Sequence, residues 1–375
     1  MTIEIDVNLD LNTNLLLLNK LVKDVKNTLN VSPYSARYLV KLYYQYQNDR
    51  IRTNNAAKAA DRENAKPANI EVNKFESNEA LVLMTEQFKT IEANVKAILI
   101  KFNKSQPQAK WLQSITGIGP IITAGLLATI KIDICPTAGS LLKFAGQDPS
   151  VKWEKGQIRP WDASMKQLCF HAGSSFIKFR SSENDHYGKL YNVRRAYEEQ
   201  KNESYAYLNQ AFDALCRALK HKTKENIQKI EEAIIRNKDG NKKLAEEQLK
   251  GLQFAFWGPE TESYKWYIQG KLPPSQIHAR SRRWVVRLFL SHLHDALYFY
   301  KFGVLPARPY VSILDKDHVH FVTPPNMNLI EGFENAIKAR VLDDRNLVFM
   351  SLEEYYEHLK AQFGEWTKTV ESDEG

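Results

Sequence analysis

The residues whose types and spacing best suit chemistry are Thr116-Gly117-Ile118-Gly119-Pro120. They sit between two apolar segments in KWLQSITGIGPIITAGLLATIKIDICPTAGSLLKFAG, Lys110 to Gly146. Glycine adopts positive φ at no steric cost, and proline is preset for the first turn of a helix. The run therefore predicts helix, tight hairpin, helix, with Ile121, Ile122, Gly125, Leu126 and Thr129 at helical spacing in the second helix. Backbone N–H groups at Gly117, Ile118, Gly119 and Ile121 then stand at a helix N-terminus. Its orphan donors and positive dipole end suit a nucleic-acid phosphate. An ordinary turn in a helical bundle is the competing reading.

Two cationic sets reinforce the phosphate reading. Lys152, Lys155, Arg159 and Lys166 lie within fifteen residues and alternate with Trp153 and Trp161. Cations beside aromatic rings suit phosphate contact with stacking on bases or sugars, although two core tryptophans pinning a surface loop would give the same pattern. Arg280, Arg283 and Arg287, with Ser291 and His294, recur at three to four residues along a helical segment. Guanidinium binds phosphate through a two-pronged fork, whereas a solvated helix face is the plain alternative.

Metal and nucleotide chemistry find less support. His278, His292, His294 and Asp295 cluster in sequence, but positions 292 and 294 point about 200° apart on a helix. His318 and His320 share one face of a strand, which supplies only two ligands, so no metal site is expected. No P-loop, dinucleotide fingerprint, GxSxG elbow or HExxH motif occurs. No cofactor is expected, and Mg²⁺ would matter only if separated carboxylates converge into a nuclease site.

Composition narrows the class. Hydrophobic content of 43% with 26% charged residues describes a soluble globular chain, long enough at 375 residues for two or three domains. Net charge is +8, but residues 331–375 hold five Lys/Arg against eleven Asp/Glu, so residues 1–330 carry +14. A basic body with an acidic tail favours a polyanionic partner. Cys135, Cys169 and Cys216 stand far apart, as in a reducing compartment without a disulfide framework. LLLLNKLV at 15–22 is too short to span a bilayer and no signal peptide opens the chain, which points to a cytoplasmic or nucleoid-associated protein with no membrane partner.

The elements that must position these residues read mainly as helices. IEIDV suggests a short opening strand, followed by an amphipathic helix through Leu29. Ser32-Pro33 starts a helix to about Ala60 that carries Tyr38, Tyr43, Tyr44 and Tyr46, read as packing rather than base stacking. Leu81, Met84, Phe88, Ile91, Val95, Ile98 and Phe102 form a 3-4-3-4-3-4 seam. That seam predicts an antiparallel hairpin of 33–60 against 79–104, or a homo-oligomer contact through 81–102. Residues 187–250 read as polar helices, and RPYVSILDKDHVHFVTPPN reads as a β-hairpin turning at Asp315-Lys316-Asp317.

ITGIGPIITAGLLATI, LLKFAGQDPS and IRPWDASMKQLCFHAG together resemble the C-terminal domain of a family of insertion-sequence transposases, the bridge-RNA-guided recombinases. That family joins a RuvC-like DEDD nuclease domain to a helix-hairpin-helix serine domain, and the resemblance covers about 108–180. It implies nucleic-acid binding by Gly117, Ile118 and Gly119. The family's catalytic serine precedes a glycine shortly after AGxDP. Here Val151-Lys152-Trp153-Glu154-Lys155-Gly156 has no such serine, while Ser150 adjoins Pro149. The helical reading of 1–105 departs from the nuclease domain, as in divergent phage or mobile-element proteins.

The expected fold is mainly α. Residues 1–107 form a helical-hairpin arm, 108–180 the helix-hairpin-helix module, and 181–274 a polar helical insertion. Residues 275–330 form the basic helix plus one small β-hairpin, and 331–375 an acidic tail. The expected function is nucleic-acid binding, DNA before RNA, in a mobile-element or phage setting. The alternatives are an active transposase or recombinase, using one of Ser150, Ser164, Ser174 and Ser175 or a Mg²⁺ site, and a helical scaffold.

Overall fold

The structure, a computed structural model, describes residues 30–64, 79–154, 156–256, 258, 260–307, 320–343 and 348–366. Among these residues the chain is mainly α, with fourteen α-helices and one two-stranded ladder. The opening strand and helix expected before residue 30, Pro67, Lys155, Trp257, the Asp315-Lys316-Asp317 turn and the chain end at 371–375 fall outside the described residues. Two compact units emerge. The first takes its described residues from 30–171, 296–307 and 326–333, the second from 172–295, 320–325 and 334–366.

In the first unit, α1 (Pro33–Asn64) and α2 (Glu79–Lys104) form the helical hairpin. Ser32 caps α1 by accepting the Ser35 N–H at 3.1 Å, and Pro33 fills the first turn, as the sequence implies. α3 (Ala109–Gln113), α4 (Pro120–Thr129) and α5 (Ala138–Phe144) follow, then α6 (Ala163–Lys178), of which residues to His171 belong here. A Cβ on Gly125 of α4 would meet Leu168 Cδ2 at 2.6 Å and Val40 Cγ1 at 3.3 Å, so glycine permits close packing on both α6 and α1. Asn103, near the end of α2, donates to Pro120 O at 2.8 Å. The start of α1 and the end of α2 thus both meet α4, which makes their pairing antiparallel.

The buried stripe of α2 is offset from the predicted seam. Thr85, Glu92, Val95, Leu99 and Phe102 are buried, Phe88 is half-buried, and Met84 is exposed. The spacing is still 3-4, but half of its positions are shifted by one residue. The cause is polar: Arg50 of α1 grips Glu92 through Nε at 2.5 Å, which draws a carboxylate into the seam. The tyrosines of α1 pack, Tyr44 stacking on His171 at 4.0 Å and Tyr46 meeting Phe88 at 6.1 Å, while Tyr38 stays exposed.

In the second unit, Asp185 caps α7 (Gly188–Glu203) by accepting the Gly188 and Lys189 N–H groups. A Cβ on Gly188 would lie 2.5 Å from Phe176 O, so glycine is required where the chain enters α7. α8 (Leu208–Ala218), α9 (Lys224–Lys238), α10 (Lys242–Leu249) and α11 (Glu262–Tyr267) follow. The polar segment 187–250 is helical, and its sparse apolar residues gather with Tyr264 and Tyr267 into a core of their own around Leu215, Ile230 and Ile234. α12 (Pro274–Phe302) contributes through Asp295, and Phe289 meets Phe176 and Tyr187 at 5.3 and 5.5 Å.

Of the two expected strands, one lies among the described residues. β1 (His320–Val322) is a strand, but it pairs in parallel with β2 (Val348–Met350), in register His320 with Val348. The expected hairpin partner lies outside the described residues. α13 (Phe333–Asp343) intervenes between β1 and β2, as a parallel pair requires a crossover. α14 (Leu352–Phe363) begins in a capping box between Ser351 and Glu354 and packs on α7, where Phe363 meets Tyr197 at 4.7 Å.

His292 of α12 links this core to β1. Its Nε2 lies 2.9 Å from Val322 O, a pure acceptor, so Nε2 carries the proton and Nδ1 accepts the Tyr187 hydroxyl at 2.8 Å. Burial pushes the His292 pKa down to about 4, against smaller opposing effects of Asp295 and the Val322 carbonyl. Between about pH 6.5 and 4 the unfolded chain binds a proton there that the folded chain does not, so stability falls on acidification, by about 3 kcal/mol across the window. Chemical denaturation across that range should show a smaller acid loss in His292→Gln than in the wild type. Equal losses would refute the assignment.

Candidate nucleic-acid interface

The hairpin begins from buried anchors. Trp111, Leu112 and Ile115 are inaccessible, and the Ile118 N–H donates to Ile115 O at 2.9 Å to close the turn. Gly117 has φ +93°, which favours glycine strongly, and the Ile118 side chain points inward with 3% exposure. Gly119 is different: its φ is −81°, it is exposed, and a Cβ there meets nothing within 4 Å. Its freedom from a side chain is not a demand of the fold.

Gly119 is the N-cap of α4 and Pro120 its first residue, with no side chain capping the end. The first intrahelical bond runs from the Thr123 N–H to Gly119 O at 3.0 Å. The amides of Ile121 and Ile122 therefore have no acceptor within the helix. Residues 121–126 are buried along the helix, so α4 is held rigidly.

In the basic loop, Trp153 and Trp161 meet edge to face at 6.1 Å. Arg159 lies 5.4 Å from the Trp153 ring, and Lys166 lies 4.0 Å from the Trp161 ring. Trp153 Nε1 donates to Gln157 O at 2.9 Å, and Trp161 packs where a Gly146 Cβ would stand, 2.8 Å from its ring. The tryptophans thus organise their own loop and carry Arg159 and Lys166 on their faces. Lys152 and Arg159 are exposed, as is Lys166.

The arginine row of α12 is split by role. Arg280 donates through Nε to Glu198 Oε2 at 2.8 Å and through Nη1 to Gln210 at 3.2 Å, and it lies 4.3 Å from the Tyr207 ring. Glu198 is 1% exposed and also accepts from Arg194 at 2.6 Å and the Tyr207 hydroxyl at 2.5 Å. Burial alone would raise its pKa, but the Tyr207 hydroxyl and the two guanidiniums hold it below the usual range. Arg283 is exposed and Arg287 half-buried, and neither guanidinium has a carboxylate partner among the described residues. Burial, then the charges of Arg194, Arg283 and Arg280, lower the Arg287 pKa. For Arg283 the causes are burial and then Arg280. Four guanidiniums therefore crowd one carboxylate.

The sequence reading did not single out Glu198 or Arg194. Their i,i+4 spacing is visible in the sequence, but nothing local shows that the pair is buried beneath α12.

The candidate serines are scattered. The hydroxyl and N–H of Ser150 both bind Asp148 Oδ1, at 2.7 and 2.9 Å, in a local turn. Ser164 stands in the first turn of α6, and Ser174 and Ser175 are half-buried further along it. The histidines are dispersed as well: His278 Nδ1 lies 2.8 Å from the Tyr191 hydroxyl, His294 is buried, and the His320 ring lies 4.8 Å from His358. Among the described residues no three His, Cys, Asp or Glu side chains gather as a metal cluster, and no helix is long and apolar enough to cross a membrane.

Residues 109–181 match a family model described as "Transposase IS116/IS110/IS902 family". The match covers about a fifth of the chain, from α3 through α6, and includes both the hairpin and the tryptophan loop. This stretch is transposase-related. No curated protein and no solved structure matches the chain.

The charge imbalance around Glu198 makes opposite predictions for neighbouring substitutions. Glu198→Ala leaves the half-buried guanidiniums of Arg194 and Arg280 unpaired and should cost about 3 kcal/mol of stability. Arg287→Gln removes the repulsion of Arg194, Arg283 and Arg280, each larger than the attraction of Glu198, and should leave the melting temperature unchanged or raised. Thermal denaturation in parallel checks both, and a strongly destabilised Arg287→Gln would contradict the assignment.

Proposed function

We propose that the protein binds nucleic acid, with DNA as its partner, as a transposase-related factor of a mobile element or phage. The observation that carries this reading is the surplus of positive charge on α12. Arg283 and Arg287 lack carboxylate partners among the described residues, and Glu198 is already engaged by Arg194 and Arg280. Phosphate supplies the missing anion, and guanidinium matches it through paired donors. The amides at the start of α4 offer a second kind of phosphate contact, made by backbone alone. The transposase-related stretch contains that hairpin, which favours a DNA substrate over an acidic protein.

Contacts of both kinds read the backbone rather than the bases, so binding should be weakly sequence-dependent and steeply salt-dependent. Arg280 acts here as a positioning residue, since its guanidinium is committed to Glu198 and Gln210. Lys152 and Arg159 are among the exposed cations of the hairpin's own unit and add further phosphate contacts.

The test is a salt series on duplex, branched and single-stranded DNA and on RNA. Arg283→Gln with Arg287→Gln should weaken binding to every sequence and reduce the log–log salt slope by about 2, one phosphate contact each. A Cβ at Gly119 meets nothing within 4 Å, so a folded Gly119→Val variant with weakened affinity would support backbone approach at the hairpin. Unchanged affinity in both variants would overturn the proposal. Concentration-dependent self-association without nucleic-acid affinity would favour a scaffold instead.

A further inference from the structure

A cleft of about 280 Å³ lies between α1, α4 and α6 in the first unit. One face of α1 supplies Arg37, Lys41, Gln45 and Asn48 at helical spacing, and Ser164 and Gln167 come from α6. Val40, Gly125 and Leu168 give it an apolar wall. Neither the hairpin amides nor the α12 arginines form part of this lining.

Two buried polar atoms in it have no hydrogen-bond partner among the described residues. Thr129, the last residue of α4, is 3% exposed, and its Oγ1 makes no hydrogen bond among the described residues. A buried unpaired hydroxyl costs about 1–3 kcal/mol, and valine would fill the same space without that penalty. Arg37 Nε is likewise buried without a partner, although the other end of this guanidinium pairs with Asp162. Asp162 itself caps α6 by accepting the Met165 N–H at 2.8 Å, which fixes Arg37 in place.

The charge of the cleft is unbalanced. Asp162 offsets Arg37, but Lys41 is exposed and has no carboxylate partner among the described residues. The remaining polar lining is mostly amide, from Gln45, Asn48 and Gln167. An amide presents a donor and an acceptor side by side, the arrangement that pairs with the edge of a nucleobase. The volume is just below the usual range for small-molecule sites and suits one nucleotide, not a duplex.

We propose that this cleft binds a single nucleoside monophosphate unit. Lys41 and Arg37 receive the phosphate, Thr129 supplies a buried hydroxyl, and the amides of Gln45, Asn48 and Gln167 face the base. The unit is either a free nucleotide or an unpaired residue of a strand. Its lining shares no residue with the α12 arginines or the hairpin amides, so either can fail without the other.

The experiment is calorimetric titration of the full chain with adenosine 5′-monophosphate, a 5′-phosphorylated tetranucleotide and inorganic phosphate. Saturable binding of the mononucleotide identifies a free nucleotide, and saturation by the tetranucleotide alone identifies a strand residue. In both cases Lys41→Gln should weaken binding about tenfold, the loss of one charge-assisted hydrogen bond. Thr129→Val should also weaken it while leaving the melting temperature of the unliganded protein unchanged or raised. Binding that neither substitution alters, absence of binding, or phosphate binding as tightly as the nucleotides would overturn the proposal. Duplex affinity of the two variants, read alongside, should match the wild type.

Discussion

One buried carboxylate, Glu198, holds the cationic face of α12 in place. A carboxylate taken from water costs several kcal/mol unless its charge and lone pairs are met, and Arg194, Arg280 and Tyr207 meet both oxygens. The Tyr207 phenol responds in kind, its pKa pushed up to about 12 by burial and by Glu198. This arrangement settles Arg280 and Arg194 but, among the described residues, gives Arg283 and Arg287 no carboxylate partner, and the repulsion of neighbouring guanidiniums outweighs the pull of Glu198 on Arg287. A fold could relieve that crowding with one more acidic residue nearby. Keeping the surplus makes sense where an anion from outside completes it, which is the physical core of the nucleic-acid reading.

The hairpin works by a different constraint, that of close packing. Gly125 lets α4 approach α6 and α1 more nearly than any side chain would allow, and residues 121–126 are buried along the helix. Gly119 and the first amides of α4 are therefore held on a rigid element, the preorganisation that the proposed phosphate contact would need. The same close packing brings α1, α4 and α6 around the cleft that Thr129 and Arg37 line.

What was legible in the sequence is local. Gly-x-Gly-Pro announces its turn because φ preference and the missing proline N–H act within five residues, and Ser32-Pro33 announces the start of α1 for the same reason. The arginine spacing on α12 follows from helical periodicity alone. What escaped depends on partners far away in sequence. The β1 register rests on Val348, twenty-eight residues beyond His320, and no turn signal encodes it. The stripe of α2 shifted because Glu92 meets Arg50, a pairing across forty-two positions. Glu198 looked like one more acidic residue on a polar helix, and only the fold of α7 beneath α12 turned it into the anchor. The cleft was invisible for that reason too, since its lining comes from three helices.

The most direct test of the nucleic-acid account is amide hydrogen exchange of the full chain with and without saturating duplex DNA at low salt. The account predicts slowed exchange at Gly119, Ile121 and Ile122, which lack acceptors within α4, and in the peptide spanning Arg283 and Arg287. Identical exchange in both regions, at a DNA concentration where binding is saturated, would contradict it.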